Sequence, residues 1–380
     1  MARGFAHDFI SALRAVFGDV GVLMLLVGAP VLYGFFYPWF YGQEVVQRVS
    51  VAVVQHDGSG LARQMLRFAQ ASPRIEVTLV TGDEAQAQQA LLDGRVMGYA
   101  LLPRDLKRRV VRSEEAVVPV YANGAYPLAA KQVQYGFAEA FGTVSAGVEL
   151  RRLTAGGQSA LQAQASRSPV NLQMQALFNP TEGYGSFVVA AVAIIILQQT
   201  LLMGGALLVG TWREQGLDRA PARTWLARLL ALCTLGWLSG LYYFGWIFVW
   251  HDYPRGGNPL GQLLGGTLFI AATVAFGLFV GSFFRTRERA FQYIIATSIP
   301  LFFLANLSWP AVMTPQPLVW LAQLLPTTSG INLMVRLNQM DASLADVSHE
   351  LITLTVLLLL YGSLATWRLL AKKGTEGIKS

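Results

Sequence analysis

Six long apolar stretches constrain this chain more than any other feature of its sequence. They cover residues 20–41, 186–210, 226–250, 263–284, 290–309 and 351–370. Each provides the about 20 helical residues needed to cross a bilayer core of about 30 Å. Mean hydropathy is +0.43 and only 13% of residues are charged, which is too apolar for an ordinary soluble domain. We therefore predict a membrane α-helical protein with six transmembrane helices.

Basic residues at the ends of these stretches predict how the chain crosses the membrane. They follow the second, fourth and sixth stretches as Arg213, Arg219 and Arg223; Arg285, Arg287 and Arg289; and Lys372, Lys373 and Lys379. Lys and Arg near span ends favour the cytoplasm. We therefore expect both termini in the cytoplasm, an inner-membrane location and a cytoplasmic tail over 372–380. The net charge is +7. Because basic residues concentrate at the ends of apolar segments, we attribute this charge to membrane topology and expect no nucleic-acid partner.

Residues 1–19 form a separate amphipathic segment before the first span, 20–41. Apolar side chains recur there at helical spacing: Phe5, Phe9, Ile10, Leu13, Val16 and Phe17. This predicts a helix along the membrane surface. The alternative interpretation is an ordinary cytoplasmic extension of the first span. The stretch 20–41 is longer than a signal-peptide core and ends in aromatic residues, so we interpret it as a retained anchor.

The long segment 42–185 has the pattern of an inserted extracytoplasmic α/β domain. The sequences VSVAVVQ, RIEVTLV, RVMGYALLP and AVVPVYAN predict strands. Between and after them, helices are predicted over 60–71, 83–92 and 128–161, the last broken near Gly147. The Gly-, Gln- and Ser-rich stretch 155–179 resembles a tether back to the membrane. Five further transmembrane helices then occupy 186–371.

Residues that carry chemistry are sparse. The four histidines are dispersed, Cys233 is the only cysteine, and neither a metal-ligand spacing nor a phosphate-binding loop occurs. We therefore predict no catalytic residue, no metal and no cofactor bound by this chain. Almost no ionisable residue lies near a span midpoint, which argues against self-powered, proton-coupled transport. Gln198 and Gln199 are polar at span depth, and they either join helices or line a substrate path.

A charged ribbon, GTWREQGLDRAPARTW at 210–225, separates the second and third apolar stretches. One span, an external α/β insertion, five more spans and this charged E-x-G segment resemble the membrane subunits of type-2 ABC transporters with a large extracytoplasmic domain. VAVVQHDGSGLARQMLRFAQ, EAQAQQALLDGRVMGYALLPRDLKRRV and VPVYANGAYPLAA look like that family's external domain. LLPTTSGINLMVRL is similar to its Pro-centred segment, with Pro326.

In that family the segment after the second span docks on a separate ATP-hydrolysing subunit. Its pattern is roughly E-R-E-x-G-T followed by a proline, and four residues here match: Arg213, Glu214, Gly216 and Pro221. Leu217 replaces the threonine and Trp212 the first acid. The resemblance implies a docking set of Trp212, Arg213, Glu214, Gln215, Gly216, Leu217, Asp218, Arg219 and Pro221. The alternative is a simple positive-inside loop, which would need the arginines only.

The resemblance also implies an assembly. It contains two permease subunits, identical or paralogous, and two ATPases, which bind the ATP and Mg²⁺. Nucleotide-driven closure of the ATPases would reorient the helices and export an amphipathic, lipid-linked or drug-like substrate. The sequence leaves open whether a periplasmic adaptor takes part.

Two other classes compete with this hypothesis. One is a non-transporting envelope anchor or assembly protein, whose external domain binds a partner or ligand. It would need fewer spans and no charged ribbon. The other is a membrane-embedded enzyme, which is disfavoured because no nucleophile, acid pair or metal set occurs at span depth.

Overall fold

The computed structural model describes residues 4–170, 172–305, 307 and 309–370, so the predicted tail 372–380 lies outside the described residues. The α-helices are α1 (Phe5–Phe17), α2 (Val20–Leu23), α3 (Ala29–Phe40), α4 (Gly60–Gln70), α5 (Glu84–Leu92), α6 (Leu106–Val111), α7 (Pro127–Ala155), α8 (Ala160–Arg167), α9 (Tyr184–Glu214), α10 (Ala222–Gly240), α11 (Phe248–Trp250), α12 (Pro259–Gly281), α13 (Arg287–Leu304), α14 (Gln316–Gln323), α15 (Pro326–Asn338) and α16 (Ser348–Leu369). The strands are β1 (Val49–Gln55), β2 (Ile75–Thr81), β3 (Gly98–Leu102) and β4 (Val120–Ala122).

Two compact units share the chain. One consists of Met1–Glu44 together with Ala176–Ser380, and the other is the continuous segment Val45–Gln175. The first unit is helical and the second contains a small mixed sheet. The α/β segment therefore interrupts the helical unit in sequence, as the predicted insertion requires.

The described residues of the helical unit include five helices long and apolar enough to cross a membrane. They are Val20–Phe40, Tyr184–Glu214, Ala222–Trp250, Pro259–Gly281 and Ser348–Leu369. The first and third contain π-helical turns, at Met24–Gly28 and Leu241–Ile247. A sixth span is reached only if α14 and α15, which meet at a bend of 82°, together form one.

The predicted span 290–309 is not among these five. Its helix, α13, has 18 residues and begins with the charged turn Arg287, Glu288 and Arg289, because Thr286 caps its N-terminus. The helix ends at Leu304, before the apolar stretch does. The apolar stretch predicted a start at residue 290, three residues after the observed one. Apolar length alone does not show this earlier start, since a capping side chain helps to determine where a helix begins. The apolar piece at 318–325 lies within the bent pair instead.

The helices α9 and α12 pack closely, backbone against backbone, at two glycines of α12. A Cβ added at Gly281 of α12 would lie 2.7 Å from the Cα of Ala206, and one at Gly277 would lie 3.2 Å from the carbonyl oxygen of Leu201. Small residues allow helix backbones to approach in this way in membranes. Gly277 and Gly281 therefore allow the backbones of α9 and α12 to approach closely.

The two ends of the helical unit that flank the α/β segment are tied together by Glu44. Its carboxylate accepts a hydrogen bond from the backbone N–H of Ser186 at 2.9 Å, and its carbonyl oxygen accepts one from that of Tyr184 at 2.7 Å. Free N–H groups at a helix N-terminus are satisfied by such acceptors. Glu44 therefore caps α9 from the end of the first span.

The α/β unit is built on a four-stranded sheet of order β2-β1-β3-β4. β1 runs parallel to β2 and β3, whereas β3 and β4 are antiparallel. Val51 and Val53 of β1 pack in one core with α4 and α7, and Ala52 and Val54 pack in another with α5. β1 is therefore buried on both faces, which explains its nearly continuous apolar sequence.

The predicted break near Gly147 is wrong. α7 continues through Gly147 to Ala155, and the break falls at Gly156 and Gly157, the latter with φ of +92°. A single glycine inside a helix costs only about 1 kcal/mol relative to alanine, so it does not by itself end the helix. The predicted tether also contains α8, which begins with a capping box of Ser159 and Gln162.

Replacing Gly281 with alanine should destabilise the helical unit, because the added Cβ would collide with backbone atoms of α9. Overpacking of this kind costs about 1–3 kcal/mol. The measurement is the Tm of the detergent-purified protein. Gly362→Ala on α16 is the matched control, since nothing lies within 4 Å of a Cβ built there. Equal Tm values for the two variants would contradict the close approach of α9 and α12.

Candidate docking surface at the charged end of the bundle

The predicted docking residues begin on a helix rather than on a loop. α9 extends to Glu214, four residues beyond the predicted end of the span. It closes in a Schellman motif, in which the N–H of Leu217 donates to the carbonyl oxygen of Trp212 at 2.6 Å and that of Gly216 to Arg213 at 3.0 Å. Gly216 has φ of +69°, a conformation that favours glycine. We call residues 211–224 the docking segment.

Arg213 and Asp218 face inward and hold this turn together. The Nε of Arg213 donates to Oδ2 of Asp218 at 2.9 Å. The same guanidinium donates to the carbonyl oxygen of Ser282 at 3.2 Å and to that of Phe284, just beyond α12. Cations stabilise the exposed carbonyls at a helix C-terminus. These two predicted docking residues therefore brace the segment against α12.

An arginine in contact with two tryptophan rings fixes the docking segment to α10. The Cζ of Arg228 lies 4.0 Å from the ring centroid of Trp212 and 4.4 Å from that of Trp225. The two rings meet edge to face, with centroids 5.6 Å apart. Only 7% of Arg228 is exposed, so these cation–π contacts are desolvated and worth up to about 2 kcal/mol each. We call these three residues the Trp–Arg clasp.

The clasp also reaches the outer part of the segment and the last span. Nη2 of Arg228 donates to the carbonyl oxygen of Leu217 at 2.9 Å. The indole Nε1 of Trp225 donates to the carbonyl oxygen of Leu369 at 3.0 Å. Arg219 donates to the carbonyl oxygens of Arg368 and Leu370, at 3.4 Å for the latter. The segment is therefore connected to the end of α16 as well as to α10.

Arg287 joins three further elements at this end. Its guanidinium forms an ion pair with Asp19, at 2.7 Å between Nη1 and Oδ2, and its backbone N–H donates to Oε1 of Glu214 at 3.2 Å. Partial burial raises the pKa of Asp19, but hydrogen bonds from Arg287 and from backbone amides outweigh it and hold that pKa below its ordinary value. The start of the first span is therefore joined to α9 and α13.

α1 packs beside the docking segment. Thr224 Oγ1 donates to Oδ2 of Asp8 at 2.8 Å, and Arg223 lies 3.7 Å from the same carboxylate. Ala12 and Val16 of α1 are buried in the core of the helical unit. The predicted helix is present, and it meets α10. Its orientation along the membrane surface stays a prediction.

The structure divides the predicted docking residues into two groups. Trp212 is buried, and Arg213 and Asp218 are half-buried and paired internally. The exposed group is Glu214, Gln215, Gly216, Leu217, Arg219 and Pro221. Leu217 is 49% exposed and provides an apolar centre among charged and polar neighbours. This outward group is the surface that a partner could contact.

Gln198 and Gln199 lie inside the bundle, at 1% and 9% exposure. The side-chain oxygen of each is buried without a hydrogen-bond partner among the described residues. Neither oxygen therefore joins helices within this part of the chain. Both alternatives, helix interface and substrate path, stay predictions.

The sequence prediction missed the residues that hold the segment from elsewhere in the chain. These are Asp19, Trp225, Arg228, Ser282, Arg287 and Arg368. Arg228 gave a usable signal, because it is a charge within the apolar stretch 226–250. The others gave none, since their contacts depend on how distant helix ends meet.

Five described helices long and apolar enough to cross a membrane, with a hydrogen-bonded turn after the second, are those of a multi-pass membrane protein. The model of a family described as ABC-2 family transporter protein matches residues 20–367. The chain belongs to this family, which confirms its resemblance to type-2 ABC permeases. No match was found among curated proteins.

Replacing Arg228 with glutamine should loosen the docking segment, because both cation–π contacts and the hydrogen bond to Leu217 are lost. The expected result is roughly tenfold faster cleavage by trypsin after Arg219 or Arg223, since cleavage follows the open population. Digestion is monitored by mass spectrometry. Arg285→Gln removes an exposed charge outside the clasp and should leave the rate unchanged. Equal rates in the two variants would show that the clasp does not hold the segment.

Proposed function

We propose that this protein is the permease subunit of an ATP-driven exporter, and that a separate ATPase docks on residues 211–224. The observation that carries the proposal is an exposed surface centred on Leu217 whose supporting residues are fixed from behind. A partner that pushes on such a surface moves the helices, because little of its displacement is lost in a flexible loop. Family membership supports the same assignment.

Contacts behind the docking segment provide the route for this motion. Arg213 transmits displacement to the end of α12, the clasp to α10, and Arg219 to the end of α16. Glu214 adds the start of α13 through Arg287. ATPase closure would therefore act on several helices at once and reorient the bundle. Packed side chains and hydrogen bonds of this kind can carry energetic coupling between distant sites.

The assembly that we propose has two permease chains, identical or paralogous, and two ATPases, which supply ATP and Mg²⁺. The protein would lie in the inner membrane, with its docking segment in the cytoplasm and its α/β unit outside. An amphipathic, lipid-linked or drug-like substrate would leave the cytoplasm or inner leaflet. The cytoplasmic placement rests on the basic residues near the span ends.

Reversing the charge of Glu214 is expected to reduce ATPase activity stimulated by the permease at least about tenfold, since interface charge reversals cost several kcal/mol. The measurement is ATP hydrolysis by the complex of this permease with its partner ATPase, after the two are co-expressed and purified together. Asp252→Lys is the control, because it reverses an acid whose side chain is 93% exposed. It lies in the loop after the third span, which has Arg255 as its only Lys or Arg and which we therefore predict to be external. Unchanged stimulation with Glu214→Lys would exclude docking at this residue and favour a non-transporting envelope protein.

The orientation of the segment can be measured with a single cysteine. Cys233 is buried and is the only cysteine, so Cys233→Ser provides a background for Gln215→Cys. A membrane-impermeant maleimide should label Cys at 215 only after the cells are opened. Asp252→Cys in the same background should be labelled in intact cells. Labelling of position 215 in intact cells would place the segment outside and reject ATPase docking there.

A further inference from the structure

An open cleft lies within the α/β unit, between α4, α6, α7 and the loop before β4. Its volume is about 550 Å³, within the range of about 300–1,000 Å³ typical of small-molecule sites. All of its lining residues belong to the segment Val45–Gln175. The cleft is therefore a property of this unit alone.

The floor of the cleft is apolar. Met65, Leu106 and Val144 are buried there, and Leu61 and Phe141 pack beside them. Methionine and phenylalanine offer a polarisable surface that adapts to aromatic or aliphatic groups. The floor thus favours a ligand with a bulky apolar body.

The rim of the cleft is acidic. Glu114, Glu115 and Glu149 line it against one base, Arg152, which leaves two net negative charges. Arg152 pairs with Glu149 at 3.7 Å, but the two side chains are 58% and 40% exposed, so solvent screens this ion pair and it is weak. Arg109, which also acts electrostatically on Glu114, is itself paired with Asp105. The carboxylates of Glu114 and Glu115 make no hydrogen bond or ion pair within the described residues.

We propose that this cleft binds an organic cation with an apolar body, such as a quaternary ammonium or phosphonium compound. The body would fill the cleft over Met65 and Phe141, and the positive charge would lie among the carboxylates of the rim. An anion of the same shape would meet repulsion at the rim, so charge gives the site its selectivity. This site does not depend on ATPase docking, and its ligand need not be the exported substrate.

The probe for this site is tetraphenylphosphonium, with tetraphenylborate as an anion of nearly the same shape. Binding is measured by equilibrium dialysis on the full chain in lipid nanodiscs, with empty nanodiscs subtracted. No ATPase is present, so the result is independent of the test of docking at Glu214. We expect saturable binding of one phosphonium ion per chain and no saturable binding of the borate.

Two variants test the charge and the cavity separately. Glu114→Gln/Glu115→Gln/Glu149→Gln should weaken phosphonium binding about tenfold, as expected for the loss of several partly screened charges. Ser145→Trp should abolish it, because Ser145 is an exposed lining residue and an indole there would fill the cleft.

The matched control is Glu76→Gln/Asp93→Asn/Glu139→Gln, which removes three acids from the same unit but outside the cleft lining. It should bind phosphonium like the unmodified chain. The proposal is overturned by a lack of saturable phosphonium binding, or by equal binding of the borate. It is also overturned if Ser145→Trp binds normally, or if the control loses as much affinity as the rim variant.

Discussion

The contact of Arg228 with the rings of Trp212 and Trp225 is the interaction on which the charged end of this bundle depends. A guanidinium in an apolar setting is costly unless its charge and donors are compensated. The two indole faces compensate the charge, and the carbonyl oxygen of Leu217 accepts one donor. Other guanidinium groups nearby are also compensated. Arg213 and Arg368 each donate a hydrogen bond to the carbonyl oxygen of Ser282, at the end of α12. Charged side chains that would be costly in the middle of a span therefore connect the helix ends at this end of the unit.

Much of the fold could be predicted from the sequence, because its signals are local. Apolar length located all five of the described spanning helices within a few residues, and β-branched runs located all four strands of the described sheet. The errors have physical causes. The helix α13 begins at Arg287 rather than at residue 290, because Thr286 caps its N-terminus. The helix α7 continues through Gly147, where a break was predicted. Hydropathy also could not show that α14 and α15 meet at 82°, because a bend depends on neighbouring helices.

The geometry of the candidate docking surface was only partly predictable. The resemblance drew attention to residues 211–224, whose role in docking stays a prediction, and Gly216 has the left-handed backbone that a helix-ending turn requires. Residue type alone could not separate exposed from internal roles. Arg213 and Arg219 look alike in the sequence, yet Arg213 is half-buried beneath the turn while Arg219 is exposed at its edge. That difference follows from where α12 and α16 end, which no local pattern contains.

Glu44 gives the architecture a modular character. The two parts of the helical unit are in contact where the chain enters and leaves the α/β unit, because the carboxylate of Glu44 caps the start of α9. The backbone N–H groups of Tyr184 and Ser186 are thus satisfied by a residue of the helical unit itself. Evolution, or a protein engineer, could exchange the intervening module for another and retain the same membrane machinery, provided that this acid is kept.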